Sequence, residues 1–407
     1  MNAVDNLWIL VSAALVLLMV PGLALFYGGM SRSKNMLNML MMNMVCLGIV
    51  PVVWVVAGYS LSSAASGSKW IGNFDHVFLN GIELVDPSSG ISPLLAVFFA
   101  MTFASITPAL ISGAVADRMK FSAWVTFVPL WLMLVFVPAW AWVFRGDNGL
   151  LSSRGSLDFA GGTVVHVAAG SASLALVLVL GRRRGWPTEP MPPHNLPFTM
   201  LGAGLLWFGW FGFNAGSALA VNEVAVQAFV NTFMAAAVAM LAWLVVERIV
   251  DGHATSLGGA SGIVAGLVGI TPGAGFMGVW GAMGTGLVAG ALSALAVRLK
   301  YRFGFDDALD VVGVHLVGGL VGGILIGVFA DSTAVGGANP EADGLIAGGG
   351  LGLLGEQLLA NVGVLVFAFV VTFALAKALQ ATMGLRVDED SERVGLDRSE
   401  HAEGAYS

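Results

Sequence analysis

Two stretches of the sequence place a histidine deep in an apolar run, with an aspartate ahead of it. Asp158 to Gly170 reads D-F-A-G-G-T-V-V-H-V-A-A-G, and His166 is the only ionisable side chain between there and Leu180. Asp310 to Gly319 reads D-V-V-G-V-H-L-V-G-G and sets His315 at a similar depth of a later run. An ionisable side chain inside a membrane helix marks a functional site by default. Taking a charge out of water is costly, so a pair of such imidazoles is expected to rest neutral. A neutral imidazole offers one donor and one acceptor. Two together can hand a proton along or hold a small polar molecule. Each could also do no more than hydrogen-bond a neighbouring helix.

Aromatic residues form the second group. Phe99 and Phe103 are spaced i, i+4 and share one helix face. Phe213 closes the W-F-G-W-F-G-F run from Trp207, and Ser217 follows it. Trp140, Trp142 and Phe144 crowd the end of another run. Such rings serve packing and interfacial belts. Their faces also bind cations, and Ser217 would add a hydroxyl acceptor. Asp158 is either an N-cap for its helix or a carboxylate that eases the approach of a cation. Asp310 lies five residues before His315, so the two do not share a helix face.

The elements that must position these groups follow from composition. Hydrophobic residues make up 57% of the 407 and charged residues 11%; mean hydropathy is +0.85. A soluble domain carries roughly 25% charge, so the chain is an all-α polytopic membrane protein. A span needs about 20 apolar residues. Apolar runs suit helices at about 7–30, 36–61, 93–116, 122–144, 159–181, 196–218, 224–246, 256–271, 276–297, 309–330 and 351–381, eleven transmembrane helices. The runs are continuous rather than alternating, which favours helices over a barrel. The first is too long for a signal-peptide core and lacks a basic leader segment, so it reads as a retained span.

With the N-terminus outside, inner loops and tail hold 15 of the 18 Lys and Arg residues and outer loops hold 3. That bias follows the positive-inside rule and sets the C-terminus in the cytoplasm. Residues 1–383 form the transmembrane region and 384–407 a charged cytoplasmic tail, mobile or docking. His166 falls in the fifth span and His315 in the tenth. That spacing suggests an inverted five-helix repeat plus one extra helix, with a site at the repeat interface near mid-membrane. The single cysteine, Cys46, offers no disulfide. No hydrolase triad, phosphate loop or dense metal-ligand cluster stands out, so neither an enzyme nor a cofactor is expected. Nor is a nucleic-acid partner.

Five blocks carry a family resemblance: P-G-L-A-L-F-Y-G-G (Pro21 to Gly29), D-F-A-G-G-T-V-V-H, P-H-N-L-P (Pro193 to Pro197), G-W-F-G-F-N-A-G-S (Gly209 to Ser217) and D-x-x-G-V-H (Asp310 to His315). With the tail pattern G-L-R-V…G-L-D…H-x-E-x-A-Y, they closely resemble the ammonium transporter family (Amt/Mep/Rh), its Amt branch in particular. The resemblance implies a homotrimer in the plasma (inner) membrane serving nitrogen uptake, one pore per subunit, lined by His166 and His315. It implies a gate of Phe103 and Phe213. It places an outer cation site at Phe103, Ser217 and Phe144, with Trp142 beside it, and a supporting acid at Asp158; Phe99 and Asp310 are secondary. Phe144, before Arg145, stands where the family usually has Trp, and Phe is a weaker cation–π partner. The transported species would be ammonium and ammonia. A PII-type signal protein on the cytoplasmic face is the partner implied for bacterial relatives. Three other readings compete: an electroneutral ammonia or carbon dioxide channel of Rh type, an ammonium sensor, and a membrane cytochrome with the histidines as axial haem ligands.

Overall fold

The computed structural model describes residues 2–334 and 343–406; Met1, residues 335–342 and Ser407 lie outside the described residues. Among the described residues, ten helices are long and apolar enough to cross a membrane. They are α1 (Ala3–Met30), α2 (Ser33–Ser63), α3 (Pro93–Val115), α4 (Phe121–Phe144), α5 (Gly162–Leu180), α6 (Leu196–Ala218), α7 (Glu223–Val250), α9 (Val279–Phe303), α10 (Val312–Phe329) and α11 (Gly352–Thr382). The eleventh, α8 (Ser256–Ile270), has 15 residues, or about 22 Å at 1.5 Å per residue. Every residue from Gly258 to Ile270 is buried. A short helix suffices because α7, α9 and α10 surround it. Two short helices, α12 (Glu389–Val394) and α13 (Leu396–His401), complete the chain. Among the described residues there is no strand beyond two isolated bridges.

The helix starts are written in the sequence. Ser92 caps α3 by accepting from the Leu95 N–H at 3.3 Å. Asn195, Asn222 and Thr255 do the same for α6, α7 and α8. Pro93 and Pro197 occupy the first turns of α3 and α6, where a missing N–H costs nothing. The boundaries differ most at the end of α9, expected at 297 and observed at Phe303; α5, expected from 159, begins at Gly162. Asp158 holds Gly161 and Gly162 by their N–H groups, so the intervening residues turn instead of winding.

Helix α1 packs along α6, and α11 lies across α5 and α10. The α1–α6 contact is close because Gly202 has no side chain: a Cβ there would fall on the backbone of Phe26 and Gly22. Small residues allow this in membranes, where packing replaces the hydrophobic drive.

The end of the bundle opposite the N-terminus holds a buried ionic lattice. Arg183 contacts Asp306 at 2.9 Å and Asp117 at 3.4 Å. Arg118, fully buried, donates to the carbonyls of Gly181 and Asp306. Residues 384–406 lie against this end. Glu392, 1% exposed, accepts from Arg386 at 2.6 Å and from the Arg184 N–H at 2.7 Å. Asp397 accepts from the Asn38 N–H at 2.8 Å, and Leu396 donates to Asn35. His194 bridges the Ser31 carbonyl and the Tyr406 hydroxyl.

Burial alone would raise the Asp306 carboxyl, but the Arg183 hydrogen bond and the charges of Arg118 and Arg183 outweigh it and hold it below its ordinary 3.8. A depressed carboxylate contributes stability above its unfolded value and loses it as pH falls through the folded one. In acid unfolding of detergent-solubilised protein, the Asp306 contribution is therefore lost only below pH 3.8. Asp306→Ala leaves Arg183 buried and less compensated, and costs about 3–5 kcal/mol at neutral pH. Thermal unfolding of the variant checks the loss; an unchanged midpoint would contradict it.

Candidate functional site

Helices α5 and α10 carry the histidines. Both open with a π-helical turn, Gly162–Val167 and Val312–Val317. Such turns occur often at functional sites, and each places its histidine within the wide turn. The helices cross closely because Gly170 leaves room: a Cβ there would fall on the backbone of Leu316. The result is direct contact. His166 Nδ1 and His315 Nδ1 are 3.2 Å apart, with the rings 18° from parallel and centroids 5.3 Å apart. One Nδ1 must carry the proton and the other accept it. The two nitrogens are in hydrogen-bond contact, which leaves no gap for a haem ligated between the rings. His166 Nε2 is buried with no partner among the described residues. Trp210 stacks on His166 at 5.4 Å, anchored by its indole N–H to Thr271.

Phe213 sits next along the path, its ring 6.1 Å from His166. Phe103 stacks on Phe213 at 4.1 Å and 27°. Both are nearly fully buried, so the stack closes the way between the histidines and the cavity beyond it. That cavity, about 290 Å³, opens toward the end bearing the N-terminus and is lined by Tyr59, Phe99, Phe103, Trp140, Phe144 and Ser217 among others. Ser217 donates to the Phe213 carbonyl at 2.8 Å, which leaves its lone pairs free to accept.

Trp142 does not line the cavity. Its ring packs on Phe367 of α11, 4.4 Å away, and its indole donates to the Trp70 carbonyl at 2.9 Å. The reason is helical geometry: two residues from Trp140 and from Phe144 is about 200° around the axis. Arg145 also turns away, donating to the Ser68 carbonyl at 2.9 Å.

Asp158 accepts four backbone N–H groups, from Gly161, Gly162, Thr163 and Val164, at 2.7–3.4 Å. This is a cap for the α5 π-helical turn. Asp310 is not its counterpart. It pairs with Lys300 at 2.6 Å. The counterpart is Asp307, which accepts from the Val311 and Val312 N–H groups at 3.1 and 2.7 Å. The signal was available: Asp158 stands eight residues before His166, and Asp307 eight before His315. Sequence reading fixed on the nearer carboxylate and missed the spacing.

A family model described as the Ammonium Transporter Family matches residues 7–406. The chain belongs to the ammonium transporter family. A Mycobacterium tuberculosis protein named Ammonium transporter is 51% identical over 428 residues, covering 99% of this chain and 90% of its own. Candida albicans Mep2 has a crystal structure that superposes with a TM-score of 0.90 at 32% identity, covering 96% of this chain and 88% of Mep2. A structure titled Sensor Amt Protein gives 0.89 at 29% identity, covering 98% of both chains. This member of the ammonium transporter family is thus a multi-pass membrane protein, and its eleven helices have the Mep2 fold.

The cap at Asp158 makes a prediction for this transporter-family site. Asp158→Ala loses every acceptor and costs about 1–2 kcal/mol, while Asp158→Asn keeps one oxygen and costs less. Thermal unfolding should rank wild type, Asn, Ala. An unshifted midpoint in the Asn variant, with a raised half-saturating ammonium concentration, would mean that the charge serves the cation instead.

Proposed function

We propose that the protein recruits ammonium at the aromatic cavity, strips its proton near Phe103 and Phe213, and conducts ammonia past His166 and His315. The observation that carries this reading is the order along one path: an uncharged aromatic cavity, a closed phenylalanine stack, then two imidazoles in Nδ1–Nδ1 contact. The physical ground is selectivity. Ammonium and potassium are alike in charge and size, but only ammonium can shed a proton. Moving a bare ion into a low-dielectric interior costs on the order of 20 kcal/mol in the Born limit. Neutral imidazoles and phenyl rings cannot offset that. Ammonia crosses at far lower cost.

The proton travels separately. A proton reaching the Nε2 of one histidine releases the Nδ1 proton to the partner's Nδ1. The partner then gives up its own Nε2 proton. Both tautomers end inverted and must reset before the next cycle. Transport on this scheme moves charge. We place the N-terminal end outside, since the lattice of Arg118 and Arg183 and the tail lie at the other end, as the positive-inside rule requires. The unit is a homotrimer in the plasma membrane. The cytoplasmic end with its packed tail is the surface for a PII-type partner.

Currents from proteoliposomes on a solid-supported membrane, after ammonium and then potassium pulses, test the reading. Ammonium alone evokes current. His166→Ala and His315→Ala lower that current roughly tenfold or more. A wild type with no current but a rise in internal pH on ammonia entry would instead favour an electroneutral gas channel. Histidine variants that carry ammonium unchanged and still exclude potassium would remove the pair from the mechanism.

A further inference from the structure

The cavity before the phenylalanine stack has no charged side chain among its described lining residues. A cation held there depends on ring faces and hydroxyl oxygens. Indole offers the strongest such face, above phenol and phenyl. One indole lines the cavity, that of Trp140. It precedes Phe144 by four residues on α4, so both rings project on the same side; their centroids are 4.6 Å apart. Phe103, the upper ring of the stack, lies 6.2 Å from Trp140 at 74°. Trp140 also differs from the tryptophans around it. Trp54 and Trp142 each spend their indole N–H on a backbone carbonyl, those of Val97 and Trp70. The Trp140 N–H meets no acceptor among the described residues. Its ring is held instead by an edge contact to Trp54 at 6.0 Å and a tilted contact to Phe136 at 5.6 Å.

We propose that Trp140, one helical turn before Phe144, supplies the principal cation-binding face of the cavity, with Phe144 as a flanking wall. This rests on the reading of the cavity as the ammonium recruitment site. A weak phenyl at position 144 is then tolerated because the indole lies one turn along the same face.

The test is the ammonium dependence of the proteoliposome current for wild type, Trp140→Leu, Trp140→Phe and Phe144→Leu. Trp140→Leu raises the half-saturating concentration about tenfold and keeps the maximal current, and Trp140→Phe raises it by about threefold. Phe144→Leu raises it less than Trp140→Leu. Half-saturation unchanged from wild type in both Trp140 variants would overturn the proposal. So would a larger effect at Phe144, or a fall in maximal current with half-saturation unmoved, which marks packing alone. If Trp140→Leu fails to fold, the Phe variant decides by the same criterion. A wild type without current would sink the transport reading, not this one. Thermal stabilisation of the solubilised protein by methylammonium then decides: lost in the Trp140 variants it supports the role, and retained it refutes it.

Discussion

The contact between His166 and His315 governs the arrangement of the parts around it. Two imidazoles 3.2 Å apart and buried in the bundle cannot both be charged without strong repulsion, because the effective dielectric there is low. A neutral pair is polar enough to guide a small molecule and too weak to hold a bare ion. To bring the rings into contact, α5 and α10 must cross with almost no side chain between them, hence glycine at position 170. To keep the rings in register, the first turn of each helix must be fixed. Asp158 and Asp307 do this from outside the apolar run, each by its own backbone hydrogen bonds.

Polarity is segregated along the bundle for the same reason. The middle holds the imidazole pair and stacked rings. The end that carries Arg118 and Arg183 concentrates buried charge: Arg183 pairs with Asp306, and Arg118 donates to backbone carbonyls. Buried pairs of this kind add little net stability, yet removing one member is costly. Their effect is to hold fixed positions. The tail threads into that lattice through Glu392 and Asp397. The packed tail is therefore tied to the loops that close this end.

The aromatic cavity shows how a helix distributes tasks by phase. Trp140 and Phe144 face the cavity. Trp142, between them, faces α11 and ties down the loop at Trp70. The three rings are adjacent in sequence, but their roles are set by about 100° of rotation per residue. Any reading that treats the A-W-V-F-R stretch as one aromatic patch misassigns Trp142.

Several features were legible from sequence because they depend on local or average properties. Apolar length determines that the chain spans a membrane, and Asn, Ser and Thr at helix starts determine where most spans begin. The motifs carrying His166 and His315 point to the family. The equal spacing of Asp158 and Asp307 to their histidines was written there too, though it needed the second aspartate to be chosen over Asp310. What only the tertiary structure decided are relations between distant segments. Residues 149 apart in the chain meet Nδ1 to Nδ1. Phe103 and Phe213 stack from different helices, and Trp142 leaves the cavity. The physical reason is that hydrophobic periodicity is nearly silent in a helix apolar on all sides. Buried and lipid-facing positions then look alike, and the side that faces inward is fixed only when small residues let particular helices approach.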